Sequence, residues 1–175
     1  MSHSVLRVLF AAFFVLVVVP AGAGSLGDLS EDGGFVDARL GDPIESFVGL
    51  ERIGGDPEAR TETYIRNSDT FTVGGAKVDS VTYSFYAGRL YFISIRMSGR
   101  EDAEAVLTAL RATFGDGIET GSRPNERVWT GGKVFVVYDL DAETERGMAA
   151  MTSASIHSQM RMDRSATPAR IDYGY

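Results

Sequence analysis

The stretch VTYSFYAGRLYFISIRM, residues 81–97, constrains the fold more than any other part of this 175-residue chain. On either side of its central AGR, the odd positions are all apolar or aromatic. A period of two is typical of a β-strand with one buried face, and Ala87-Gly88 indicates a tight turn. A three-residue loop at 86–88 would keep the odd positions of both strands on one face, whereas a two-residue loop would divide them. The stretch therefore predicts an antiparallel hairpin with a three-residue loop, whose odd face belongs to the core.

The segment that follows this hairpin has the period of an α-helix. Apolar residues recur there at spacings of three and four: Ala103, Val106, Leu107, Leu110 and Phe114. This is one apolar stripe of an amphipathic helix. Ser98 and Glu101 match a capping box, and Gly115 ends the pattern. We expect a main helix at about 99–114 that packs its stripe on the odd face of the hairpin.

The rest of the chain predicts short strands separated by glycine-rich turns, which is typical of the α+β class. The segment LGDPIESFVGL has the capping and proline pattern of a short helix at about 43–48, although a loop with one helical turn is an alternative. We expect one or more antiparallel sheets of about six to eight short strands, with both helices packed on one face. Tyr64 follows Gly49, and Trp129 follows Gly115, at nearly the same distance along the chain. This spacing suggests a loose internal duplication.

The N-terminal segment has the pattern of a secretory signal peptide. Val8 to Val19 is an unbroken apolar run, and Ala21-Gly22-Ala23 supplies the small residues that signal peptidase requires. The run is shorter than the ~20 apolar residues of a spanning helix, and an uncleaved membrane anchor is the alternative. We predict a signal peptide at 1–23 cut after Ala23, a flexible leader at 24–34, a single α+β domain at 35–157 and a disordered tail at 158–175. The protein is then periplasmic or secreted, with no stable membrane anchor.

Composition excludes several classes of function. The chain contains no cysteine, which excludes thiol catalysis, zinc–thiolate sites and disulfides. Its net charge of −7 at pH 7 argues against binding to nucleic acid or to an anionic membrane surface. The double glycines do not form a nucleotide-binding motif, so no cofactor is expected.

Catalytic and metal-binding patterns are weak. His157 is the only histidine beyond the predicted signal peptide, and the serines around it do not form a nucleophile elbow. Acidic residues alternate in the segment DLDAETERG: Asp139, Asp141, Glu143 and Glu145. Calcium takes such oxygen ligands, but Thr144 stands where a calcium-binding loop of the EF-hand type has glycine. Solvated acids in a hairpin loop are the alternative, and no metal is assigned.

Aromatic and large apolar residues in strands are the candidate binding residues: Tyr64, Tyr86, Leu90, Phe92 and Trp129. Leu90 and Phe92, with Tyr86 at the turn, are expected near the face opposite the core, where an open apolar patch would bind a partner. The alternative is that these side chains are core or half-buried strand residues.

Two functions remain at this stage. The first is an exported, non-enzymatic interaction or binding module of the bacterial cell envelope, whose partner is another envelope protein or a cell-wall component. The second is a small envelope hydrolase that depends on paired carboxylates, one of them with a raised pKa in a cleft.

The segments LGDPIESFVGL, VTYSFYAGRLYFISI and LTALRATFGDG resemble small exported bacterial proteins of an uncharacterised family. Their shared features are a Y-x-F-x-x-G-(R/K)-L hairpin and a helix that ends in an aromatic–glycine pair. The layout also resembles the BamE-like outer-membrane assembly lipoproteins and the β-lactamase inhibitory protein fold. The resemblance implies short helices on an antiparallel sheet and action by binding other proteins. This chain lacks a lipid-attachment cysteine, and no functional residue is carried over.

Overall fold

The computed structural model describes residues 33–66, 72–121 and 123–166. The predicted signal peptide and most of the predicted leader lie outside these residues. The strands are β1 (Gly34–Phe35), β2 (Ala38–Arg39), β3 (Leu50–Asp56), β4 (Thr61–Arg66), β5 (Thr72–Val73), β6 (Ala76–Lys77), β7 (Ser80–Tyr86), β8 (Arg89–Ser98), β9 (Ile118–Glu119), β10 (Arg127–Thr130), β11 (Val134–Asp141) and β12 (Arg146–Ser153). The helices are α1 (Arg100–Phe114) and α2 (Ala154–Ala166).

Eight strands form one antiparallel sheet in the order β3-β4-β7-β8-β12-β11-β10-β9. The pairs β1–β2 and β5–β6 form separate two-stranded sheets. The order of the large sheet is symmetric about the β8–β12 pair, because each half is a four-stranded meander and the last strands of the two meanders are neighbours. The prediction of an α+β fold with a large antiparallel sheet is confirmed.

The β7–β8 hairpin turns through two residues, Ala87 and Gly88, whose φ angles are 49° and 77°. Two positive φ angles are the geometry of a type I′ turn. Phe85 pairs with Leu90, and the register then shifts by one residue at Tyr91. Beyond this β-bulge, the odd positions of both strands lie opposite each other on one face. The predicted three-residue loop was therefore wrong, and a two-residue turn with a bulge produces the common face instead.

This common face of the sheet, which we refer to as the core face, is covered in one half by α1. The helix buries Ala103, Val106 and Leu110, and the Tyr138 hydroxyl donates a hydrogen bond to the Ala103 carbonyl at 3.1 Å. The predicted stripe therefore packs on the sheet as expected. Gly99 is the N-cap residue, without a side-chain capping bond. The predicted capping box does not form because residue 98 ends strand β8.

The other half of the core face is covered by the segment that contains β1 and β2. Arg66 anchors this segment, since its guanidinium binds both Asp37 carboxylate oxygens at 2.9 and 2.6 Å. The guanidinium carbon also lies 5.9 Å from the ring centre of Phe47 and 5.1 Å from that of Tyr83. The hydrogen bonds from Arg66 hold the pKa of Asp37 below its ordinary value of 3.8.

The predicted short helix at 43–48 is a single 3₁₀ turn, Ile44–Ser46. Pro43 is extended there and forms an isolated β-bridge with Arg89. The Asp42 carboxylate accepts a hydrogen bond from the Arg39 N–H at 2.9 Å instead of capping a helix. The alternative of a loop with one helical turn is therefore the correct one.

Helix α2 lies across the face opposite the core face. It follows β12 directly, and the Ser153 hydroxyl accepts a hydrogen bond from the Ile156 N–H at 3.4 Å, as an N-cap residue does. The Tyr86 hydroxyl, on this opposite face, donates to the Asp163 carboxylate of α2. The two helices of the structure therefore lie on different faces of the sheet, whereas the sequence predicted helices on one face only and did not predict α2. Residues 158–166 of the predicted disordered tail are helical, and 167–175 lie outside the described residues.

Candidate interaction surface

Two of the five predicted binding residues belong to the core. Leu90 is 0% exposed and Trp129 is 3% exposed, and both lie on the core face. The Trp129 indole N–H donates to the Gly115 carbonyl at 2.8 Å. Leu90 was expected on the opposite face, but the register shift at Tyr91 turns it inward. In this fold neither side chain is accessible to a partner.

The other three predicted residues lie in different environments. Tyr64 is half-buried on the core face, with its ring 5.6 Å from the Phe85 ring in an edge-on arrangement. Tyr86 is 4% exposed, and its hydrogen bond to Asp163 raises its pKa. Phe92 is half-buried on the opposite face. The five predicted side chains therefore do not form one exposed platform.

The acidic run Asp139, Asp141, Glu143 and Glu145 does not converge on one point. Asp139 is ion-paired with an arginine of the preceding loop. The Asp141 carboxylate accepts two backbone N–H groups of its own turn at 2.9 and 3.0 Å, which lowers its pKa. Glu145 pairs with the first residue of α1 at 3.4 Å. Among residues 33–66, 72–121 and 123–166, no group of three or more acidic or histidine side chains could hold a metal ion.

A cleft of about 200 Å³ between α1 and the β10–β11 strands also contains several acidic residues. Two of them are ion-paired within it: Glu104 lies 3.8 Å from Arg100, and Glu119 lies 2.5 Å from Arg127. A carboxylate-dependent hydrolase needs two acids that face a substrate across an open space. Because these two carboxylates are paired with arginines and that of Glu126, the third acid of the cleft, accepts a hydrogen bond from the Thr120 hydroxyl, the cleft lends no support to the hydrolase alternative, which stays a prediction.

The face opposite the core face carries an exposed apolar area in the β9–β12 half of the sheet. Ile118 pairs with Val128, and Val128 pairs with Val137. Phe135 lies beside Val137 on the same face of β11, two residues along the strand. Ile118 is 64% exposed and Phe135 is 40% exposed, while the two valines are half-buried. We refer to these four residues as the open face.

The same row of paired residues continues into β12 and β8. Val137 pairs with Ala150, and Ala150 pairs with Ser94. Ala150 and Ser94 are 5% and 4% exposed. The row therefore changes from small, buried side chains to larger, partly exposed ones at the boundary between β12 and β11.

The charge next to the open face is neutralised. Asp139 follows Val137 on the same face of β11, and its carboxylate forms an ion pair with Arg123. The two opposite charges of an ion pair largely cancel at a distance, and water screens what remains. The Asp139 carboxylate therefore adds little charge to the open face.

Comparison with family models, with curated proteins and with solved structures finds no match for this chain. Neither helix of the described ranges has the length and apolar character that crossing a membrane requires.

Proposed function

We propose that the chain is an exported, non-enzymatic binding module of the bacterial cell envelope, which docks another envelope protein on its open face. The observation that carries the proposal is the exposure of Ile118 (64%) and Phe135 (40%) beside Val128 and Val137 on one continuous sheet face. Contiguous exposed apolar surface on a soluble domain usually marks an interaction site.

The chemistry of the open face favours a protein over a cell-wall glycan. Three of its four side chains are aliphatic, and Phe135 is its single aromatic ring. Sugar binding uses flat rings flanked by hydrogen-bonding groups. Two of the aromatic candidate binding residues, Trp129 and Tyr86, are only 3% and 4% exposed. An aliphatic surface matches the apolar side of another protein instead.

We also propose that the two halves of the domain arose by internal duplication. Tyr64 and Trp129 stand at opposite ends of one cross-strand row, through Tyr83, Ile93, Met151 and Val136. This placement and the symmetric strand order support two equivalent halves. Homologous chains in which the two halves are recognisably similar in sequence would support the duplication, and halves that show no similarity in any homologue would contradict it.

Equivalent halves also indicate what kind of partner fits. In the β3–β8 half, the face opposite the core is crossed by α2, whose Asp163 bonds to Tyr86. In the β9–β12 half, no helix of the described ranges lies on the open face. We therefore propose that the partner supplies an amphipathic helix to the open face.

A paired set of double variants tests the proposal. Ile118→Thr with Phe135→Thr removes apolar area from the open face, and threonine preserves the preference for strand structure. The matched control is Val48→Thr with Ile53→Thr, since these residues are 86% and 52% exposed elsewhere on the molecule. The immobilised proteins are incubated with envelope extract, after circular dichroism has confirmed that each is folded.

The open-face variant should recover its protein partner at least about tenfold less well than the unmodified chain, which corresponds to a loss of about 1.4 kcal/mol. The control variant should recover it normally. Equal recovery with both variants would contradict the proposed surface. Recovery of cell-wall fragments in place of a protein would contradict the proposed partner.

A further inference from the structure

Helix α2 is attached to the rest of the molecule far more weakly than α1. Over its 13 residues α2 buries Ile156, whereas α1 buries Ala103, Val106 and Leu110. Most of the stability of a helix in a protein comes from burial of its apolar face. The difference in burial therefore makes α2 the more easily detached of the two helices.

A polar cluster holds the far end of α2. The Tyr86 hydroxyl donates to the Asp163 carboxylate, and an Arg60 guanidinium nitrogen lies 3.6 Å from the same carboxylate. The guanidinium carbon also lies 5.4 Å from the centre of the Tyr86 ring. The side chains of Arg60 and Asp163 are 60% and 42% exposed, so water screens their attraction. We refer to these three residues as the latch.

We propose that α2 is a displaceable cover of the binding face, which is released when the latch opens. The inference rests on the proposed function, because α2 begins at the end of β12, where Thr152 pairs with Phe135 of the open face. Release of α2 exposes Tyr86 on the same side of the sheet, and this enlarges the surface that a partner helix can cover.

The sheet does not depend on α2 to remain folded. Its strands β7, β8 and β12 are each hydrogen-bonded to a neighbour on both sides. The core lies on the other face, where α1 and the β1–β2 segment cover it. The detachment of α2 can therefore be a local event with the rest of the domain intact.

Amide hydrogen exchange of the purified chain tests the cover directly. The amides of α2 should exchange at least about tenfold faster than those of α1 through local opening. Asp163→Asn, which weakens the latch, should accelerate exchange in α2 alone by about two- to tenfold. The control Arg161→Gln changes an exposed charge on the same helix and should leave the rates unchanged. Exchange of α2 at the rate of α1, or equal acceleration in both helices, would overturn the proposal.

Tyrosine nitration provides a second readout. Tyr86 is 4% exposed under α2, and Tyr83, three residues earlier in β7, is 0% exposed on the core face. Asp163→Asn should raise the nitration of Tyr86 by about two- to tenfold while Tyr83 stays protected. Unchanged protection of Tyr86, or an equal rise at Tyr83, would overturn local release. Neither measurement involves a partner. A negative result for the release of α2 can therefore be distinguished from a negative result for docking on the open face.

Discussion

Leu110→Ala measures how much of the fold depends on the packing of α1. Leu110 is 0% exposed in the core cluster, so its truncation loses buried apolar contact and leaves a cavity. Such substitutions destabilise proteins by about 2–5 kcal/mol. Leu107→Ala is the matched control, because Leu107 is half-buried on the same helix and borders the open cleft of about 200 Å³. Its loss should be about 1 kcal/mol, since no sealed cavity forms.

The assay is urea unfolding followed by the fluorescence of Trp129, the single tryptophan of the chain. Both variants replace leucine by alanine in one helix, so their difference in helix propensity cancels and the comparison isolates burial. Leu110→Ala should lower the unfolding midpoint strongly without changing the denaturant dependence. A loss below about 1 kcal/mol for Leu110→Ala, or equal losses for the two variants, would refute the packing of α1 on the core face.

Three further experiments test the contact between Gly117 and Trp129, the ion pair of Asp37, and the absence of calcium binding. Gly117 and Gly121 have nearly the same positive φ angle, +70° and +72°. A Cβ atom added at Gly117 would lie 2.6 Å from the Trp129 ring, whereas one added at Gly121 would meet no atom within 4 Å. Gly117→Ala should therefore destabilise the protein by about 1–3 kcal/mol more than Gly121→Ala in urea unfolding, and equal losses would contradict the contact. Because the pKa of Asp37 is lowered, its charged carboxylate stabilises the fold at pH values above the ordinary pKa of 3.8. This stability is lost as the pH falls through the lowered pKa. Asp37→Asn should therefore lower the melting temperature at neutral pH, and the difference should shrink below pH 3.8; a difference that grows in acid would be inconsistent with the ion pair. Calcium should not shift the melting temperature, because the acids of residues 139–145 are held apart, and a rise would show that the loop binds the ion.

The elements with strong local periodicity were predictable from sequence. The α1 stripe and the odd face of the β7–β8 hairpin are fixed by residues close together in the chain, and both appear in the fold. Strand β3 is not evident from the sequence, because the pair Gly54-Gly55 is typical of a turn. In the structure the register of β3 shifts next to Gly54, and the strand continues through both glycines. Glycine tolerates both a turn and a bulge, and sequence alone does not distinguish them.

Helix α2 and the open face depend on contacts between distant segments. In α2, Ile156 is the buried residue, so no apolar stripe marked the helix. One sequence pattern does indicate the open face. Residues 134–138 of β11, VFVVY, are apolar on both sides of the strand, which is typical of a strand with two covered faces. In the structure Val136 faces the core, while Phe135 and Val137 face outward. That second apolar side is the signal from which the candidate surface could have been predicted.

Site-specific photo-crosslinking in the exporting cell tests directly whether the open face docks another envelope protein. A photoreactive amino acid replaces Phe135 on the open face, and in a control chain it replaces Val48, which is 86% exposed away from that face. We expect a discrete adduct between position 135 and a second, different exported protein, and no such adduct from position 48. Adducts in equal yield from both positions, an adduct with another copy of this chain, or no protein adduct at position 135 would contradict this expectation.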